Sequence, residues 1–287
     1  MVKYLRAHKK RALLCAALLA LILWTVWGNT ALELNTYSVS SRDLPAAFDG
    51  YRIAHISDLH NAEIGEGNET LLTMLKKAEP DIIAITGDLI DSNHTDIAVA
   101  LAFAEAAMEI APCCYVNGNH EAWAADYGEL RSGLEAAGVV VLENERITLT
   151  ASGDSISLLG MNDPSFPVTL ADDAMPTNIQ SQMNDFWVDE GTYTILLSHR
   201  PELFDLYVKH GADLVLSGHA HGGQFRLPFV GGLIAPNQGL FPEYDAGLYS
   251  EGSTNMIVSR GIGNSVVPLR FNNRPEVVLV KLETTVR

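Results

Sequence analysis

Five short stretches hold the side chains most capable of chemistry: SDLH (57–60), GDL (87–89), NGNHE (117–121), SHRP (198–201) and GHAHGG (218–223). Together they supply Asp58, His60, Asp88, Asn119, His120, His199, His219 and His221. Carboxylate, imidazole and amide donors without a thiolate suit Mn²⁺, Fe or Zn²⁺. Two such cations roughly 3.5–4 Å apart need one carboxylate between them, and can activate a water while clamping a phosphoryl oxygen. The hydroxide so formed attacks phosphorus in line with the leaving group, so the expected reaction is phosphoester hydrolysis. A lone DLH or GD would carry little weight; five donor groups in order form a constellation.

Each stretch closes an apolar run. YRIAHIS (51–57), DIIAITG (81–87), CCYVNG (113–118), TILLSH (194–199) and DLVLSGH (213–219) read as buried strands. Between them, residues 69–78, 95–110 and 127–137 show helical spacing of apolar side chains. The alternation predicts an α/β core, in which ligands gather at the carboxyl ends of strands. Residues 161–189, rich in Pro, Asp and Asn, read as an insertion or long loop.

In these motifs and their order the chain resembles the calcineurin-like metallophosphoesterase superfamily. GHAHGGQ followed by APNQGLFPEYDAGLY, SRGIGNS and PLRFNNRPE narrows the likeness to its membrane-anchored bacterial phosphodiesterase branch. The resemblance implies an α/β/β/α four-layer sandwich with two divalent cations on its rim, Mn²⁺ first and Fe or Zn²⁺ as alternatives. It assigns Asp58, His60, Asp88 and His221 to the first cation, and Asp88, Asn119, His199 and His219 to the second, with Asp88 as the bridge. His120 is implied to stabilise the transition state or to protonate the leaving oxygen, a role that suits imidazole near neutral pH. The expected activity is that of a phosphodiesterase or pyrophosphohydrolase, and an anchor that holds the site near headgroups suggests phospholipid, lipid-linked pyrophosphate or nucleotide-sugar substrates. A phosphoprotein phosphatase and a non-catalytic metal-binding scaffold are the alternatives.

The rest of the chain sets bounds. Five bases (Lys3, Arg6, Lys9, Lys10, Arg11) precede any acid, after which fourteen bases face thirty-five acids. So acidic a domain disfavours nucleic acid. Residues 12–27, ALLCAALLALILWTVW, are uncharged and reach across a membrane when flanking residues up to 32 are added. A cleaved signal peptide is the competing reading, against which Trp24 and Trp27 look like interfacial anchors. The expected organisation is a transmembrane helix within 1–32, a connector over 33–50 and a catalytic domain over 51–287, lying outside the cytoplasm because the bases precede the span. Cys113 and Cys114 adjoin in a strand, point to opposite faces and build no disulfide framework. His55 reads as a core or supporting histidine, and Glu121 as orienting His120 or starting a helix. Asp91, Asn93 and His94 could face substrate or solvent, as could Asn264 and Arg270. Gly261 and Gly263 read as turn residues, and Gln224 has no role beyond opening a strand.

Overall fold

The computed structural model describes residues 2–166, 179–187, 191–264 and 267–285, with side chains from residue 8 onward. Helix α1 (Val2–Thr30) leads into strand β1 (Glu33–Ser41) and then β2 (Arg52–Ile56). Next come α2 (Glu69–Ala78), β3 (Ile82–Thr86), α3 (Ile97–Met108), β4 (Cys113–Val116), α4 (Asn119–Trp123), α5 (Tyr127–Ala136) and β5 (Val140–Val141). The second half runs β6 (Glu145–Ala151), β7 (Asp154–Gly160), α6 (Ile179–Phe186), β8 (Thr194–Leu197), α7 (Phe204–His210) and β9 (Leu214–Ser217). Four two-residue strands follow: β10 (Arg226–Leu227), β11 (Gly231–Gly232), β12 (Ile234–Ala235) and β13 (Gly239–Leu240). The chain closes with β14 (Gly247–Glu251), β15 (Thr254–Val258) and β16 (Glu276–Thr284).

Two six-stranded sheets result, ordered β1-β16-β2-β3-β4-β5 and β14-β15-β9-β8-β7-β6. Successive residues of a strand face opposite sides of its sheet, and this alternation builds the layers. Ile82 and Ala84 of β3 face the second sheet, packing in one cluster with Ile195, Leu197, Leu214 and Leu216. Ile83 and Ile85 face the other way, onto Leu71 and Leu75 of α2 and Phe103 of α3. In the second sheet, Leu196 and Val215 turn from the shared core toward Phe204 and Tyr207 of α7 and Met183 of α6. The architecture is therefore the expected four-layer α/β/β/α sandwich. Cys113 and Cys114 fall into the outer and inner clusters respectively, both as free thiols.

Two stretches differ from the sequence reading. Residues 33–50, read as a connector, contain β1, a nine-residue strand in parallel register with β16 from Glu33↔Glu276 to Ser41↔Thr284. Its side chains alternate between half-buried and exposed, with Val39 buried, so no apolar run advertises it. Of the loop expected over 161–189, residues 167–178 and 188–189 lie outside the described residues, and the described part includes α6.

Helix α1 has a span from His8 to Thr30 long and apolar enough to cross a membrane, and nearly all of it is exposed. Its end is held firmly. Asn29 accepts from the Arg270 backbone N–H (2.7 Å) and donates to the Arg270 carbonyl (2.8 Å). Arg274 donates to the carbonyls of Ala31 (2.8 Å) and Leu32 (2.9 Å), and its guanidinium lies 4.7 Å from the Trp27 ring centroid.

Candidate metal centre

All five motif stretches follow carboxyl ends of central strands: β2, β3 and β4 in one sheet, β8 and β9 in the other. Because the sheets stack face to face, these ends meet at one edge of the sandwich. The backbone there is unusual. Asp58, His60, Asp88, His219 and His221 all have φ between 46° and 65°. Left-handed backbone outside glycine costs roughly 1–3 kcal/mol at each position and concentrates where a site demands it. Gly118 and Gly218 serve the same crowding: a Cβ on the first would collide with the Asp88 carboxylate, and one on the second with Ser57 Oγ and Asp58 Oδ2.

The donor atoms converge on two centres. His60 Nε2 lies 3.2 Å from His221 Nε2, 3.5 Å from Asp88 Oδ2 and 3.9 Å from Asp58 Oδ1, while His221 Nε2 is 3.3 Å from Asp58 Oδ1. On the other side His199 Nε2 lies 3.2 Å from Asp88 Oδ2 and 3.2 Å from His219 Nδ1. Asp88 is thus common to both groups, each drawn within 4.8 Å. Asn119 is buried beside them, and its Oδ1 has no hydrogen-bond donor. An orphaned buried acceptor costs roughly 1–3 kcal/mol, which a cation relieves. The donor chemistry, the shared carboxylate and the orphaned amide oxygen fit two divalent cations.

Supporting contacts set the orientation of these groups. His199 Nδ1 donates to the Thr86 carbonyl at 2.7 Å, which leaves Nε2 as its ligand atom. Asp88 Oδ1 accepts the His120 backbone N–H at 2.8 Å. Arg200 Nη1 lies 2.8 Å from His219 Nε2, with the guanidinium fixed to Asp163 through Nε (2.5 Å) and Nη2 (2.9 Å). Burial, and then Arg200, hold His219 well below the usual imidazole range. Burial also pushes His221 down to about 3, although Asp58 opposes it. Burial would equally lower His60 and His199, but the neighbouring carboxylates outweigh it and push them up to about 9 and about 10. Asp88 is held ionised against its burial, chiefly by His199.

His120 lies at the rim of this cluster, its ring 4.5 Å from that of His60 and edge-on to it. Its Nδ1 accepts from the Ser92 N–H at 3.1 Å, so the proton of the neutral ring sits on Nε2. Asp91 Oδ2 lies 3.6 Å from His60 Nδ1 and 3.8 Å from His120 Nδ1, which places Asp91 beside the site; Asn93 and His94 are exposed. Glu121 neither orients the His120 ring nor merely starts α4. Its Oε2 accepts the N–H groups of Asp88 and Gly118, each at 2.7 Å, so it ties the β3 and β4 loops together. His55 donates to or accepts from Thr86 Oγ1 at 2.7 Å and is a core histidine behind the site. Arg270 is buried, bonded to Asn264 Oδ1 (3.0 Å), the Arg260 carbonyl (2.7 Å) and the Gly263 carbonyl, with Nη2 3.5 Å from His221 Nδ1. Arg200 and Asp163 escaped sequence reasoning because charged residues near Pro give no local signal of burial.

The family profile for calcineurin-like phosphoesterases matches residues 51–223, the stretch that carries every one of these donors. The chain belongs to the calcineurin-like phosphoesterase family. Among its relatives, the metallophosphoesterase YkuE of Bacillus subtilis (strain 168) is 31% identical over 88% of this chain and 86% of that one. The phosphodiesterase YaeI of Escherichia coli (strain K12) is 28% identical over 81% of this chain and 82% of its own. A transmembrane protein with a metallophosphoesterase domain from Bos taurus is 28% identical, covering 96% of this chain and 64% of that one. Membership makes this chain a metal-dependent phosphoester hydrolase.

Proposed function

We propose that the protein is a dimetal phosphodiesterase held at a membrane by α1, with its catalytic domain outside the cytoplasm. The reading rests above all on the Asp88 carboxylate, shared by two separate donor groups. Asp58, His60, Asp88 and His221 hold one cation, and Asp88, Asn119, His199 and His219 the other; Mn²⁺ suits this oxygen and nitrogen set. Bound there, the cations supply Lewis acidity to the phosphoryl oxygens and bring the pKa of a water toward neutrality.

The side chains of the protein do the remaining work. Asp88 Oδ1 is engaged by the His120 backbone N–H, so Oδ2 is directed to the centre. Ser92 positions the His120 ring through Nδ1, so His120 Nε2–H donates a hydrogen bond to the phosphoryl or leaving oxygen and stabilises the charge that develops there. Burial lowers the pKa of His120, which keeps the ring neutral with Nε2–H as a hydrogen-bond donor. For the membrane, the apolar span of α1 and the transmembrane relatives support an anchor, and the bases Lys9, Lys10 and Arg11, at its amino end before the uncharged run of residues 12–27, support an N-terminus inside.

The test is turnover of bis-p-nitrophenyl phosphate by the full chain in detergent micelles with Mn²⁺, beside His120→Ala. With metal content retained, the expected loss in kcat is modest for p-nitrophenolate, which leaves without a proton, and roughly 10²–10⁴ for a phosphodiester whose leaving group is an alkoxide. Intact metal binding without any turnover in the unaltered protein refutes the catalytic reading. Faster turnover of a phosphoserine peptide than of the diester selects a phosphoprotein phosphatase instead.

A further inference from the structure

Large apolar side chains exposed outside α1 number twelve among the described residues, and eight of them fall within 227–241 and 267–269. The hairpins β10–β11 and β12–β13 carry Leu227, Phe229, Val230, Ile234, Leu240 and Phe241. Val267 and Leu269 lie on the segment beside them. Phe229, with φ of 67°, stands fully in solvent. Isolated exposed apolar residues are ordinary, but a concentration of this kind marks a surface that meets something apolar.

That surface is bonded at one end to α1 and at the other to the metal centre. Arg270, next in sequence to Leu269, pairs through its backbone with Asn29 at the end of α1. Gln224 donates to the carbonyls of Val267 (2.8 Å) and Leu269 (2.7 Å), which accounts for a residue without a role in the sequence. Asn273 in turn donates to the carbonyls of His221 (2.7 Å) and Gln224 (3.2 Å). Between them a cavity of about 320 Å³ opens beside His221, walled by Ile234, Ala235, Pro236 and Val267. Its volume is at the small end of ligand sites, ~300–1,000 Å³, suited to part of one hydrocarbon chain rather than a whole diacyl lipid. The wall is apolar and the domain strongly acidic, so attraction to an anionic headgroup is not what it offers.

We propose that this cavity is the hydrocarbon subsite for an amphiphilic phosphoester, whose phosphoryl group lies among Asp58, Asp88 and His221 and whose chain runs over Ile234 and Val267. The apolar hairpins then rest in the bilayer that α1 enters, which is where such a substrate resides. This rests on the phosphodiesterase reading and narrows its substrate class. In the reaction a water oxygen bonds to phosphorus, the bond from phosphorus to the leaving oxygen breaks, and that oxygen, hydrogen-bonded by His120 Nε2–H, takes up a proton from solvent where its basicity requires one. The water gives up a proton to solvent, and neither oxidant nor reductant is needed.

Two p-nitrophenyl phosphodiesters with the same leaving group test this, one carrying a hexadecyl and the other a methyl chain, on the full chain in detergent micelles with Mn²⁺. The expected kcat/KM ratio, hexadecyl over methyl, is at least about tenfold, as burial of several methylenes at roughly 0.8 kcal/mol each allows. Ile234→Asp and Val267→Asp, both at exposed positions, bring the ratio to within about twofold of unity, whereas Ile234→Leu keeps it. Leu248→Asp, on β14 outside the cavity, also keeps it and controls for partitioning of the long ester into micelles. A ratio near unity in the unaltered protein overturns the proposal, as does a ratio that survives both cavity variants or is lost in Leu248→Asp. Turnover of neither ester refutes the phosphodiesterase reading and this proposal with it; turnover of both without preference refutes this proposal alone.

Discussion

Glu121 is a buried carboxylate holding two loops of the metal centre, and replacing it by Ala and by Gln separates its hydrogen bonds from its shape. Its Oε2 accepts from the Asp88 and Gly118 N–H groups at 2.7 Å each, and Oε1 from the Ile90 N–H at 3.3 Å. Hydrogen bonds to a charged group contribute roughly 1.5–3 kcal/mol each. The two short ones therefore amount to about 3–6 kcal/mol set against the burial and the Asp88 charge that oppose ionisation of Glu121, so a variant reads the loss of partners for these donors. Glu121→Ala strands all three donors. Glu121→Gln keeps one oxygen for the two short bonds and sets its amide against Ile90, at a cost of roughly 1–3 kcal/mol. Denaturant midpoints of the full chain in micelles at pH 8, read with m unchanged, should place Ala at least about 2 kcal/mol below Gln. Metal content should follow, with Ala losing both cations because Asp88 loses its tether. Equal shifts for the two variants, within about 0.5 kcal/mol, would refute the claim that this carboxylate ties the loops.

The metal-free protein should also show a pH slope through the same residue: burial first and Asp88 second push Glu121 from 4.5 up to about 7. A raised folded-state pKa means that its stabilisation is complete below 4.5 and lost as pH rises through about 7, a slope Glu121→Gln should lack in denaturation across that range. Asp88→Asn removes the shared charge, so elemental analysis should find both cations lost and assays a fall of more than ~100-fold in turnover. Gly118→Ala drives a methyl into the Asp88 carboxylate and backbone; an overpacking cost of ~1–3 kcal/mol should appear as a lower Tm together with weakened metal binding. Asn29→Ala removes both hydrogen bonds to the Arg270 backbone. A loss of ~1–3 kcal/mol should be confined to the junction, seen as faster amide exchange around residues 267–274 with turnover of bis-p-nitrophenyl phosphate preserved.

The parts of this molecule that a reader of the sequence can find are those whose signal is local. β2, β3, β8 and β9 are buried on both faces and so read as continuous apolar runs, each ending where a polar donor begins. Donors placed at strand ends then imply a shared edge once the sheets stack. β1 gives no such signal: ELNTYSVSS carries Ser, Thr and Asn on a strand with only Val39 buried, which resembles a polar connector. The supporting groups were hidden for another reason. Asp163 and Arg200 are 37 positions apart, and their pairing follows only from the packing of β7 beside β8. Gln224 looked idle because its partners, the carbonyls of Val267 and Leu269, belong to a segment more than forty residues later.

The place of β16 has a consequence for how the protein is made. It lies between β1 and β2, parallel to the first and antiparallel to the second, although it is the last strand in the sequence. During synthesis β1 emerges directly behind α1, yet its ladder partner arrives some 240 residues afterwards. At ~5–20 residues per second, β1 waits on the order of tens of seconds with its edge unpaired. Such long-range closure is slow, so the first sheet can be completed only after the ribosome has finished β16, and truncation before Glu276 should leave β1 and β2 without the strand that joins them.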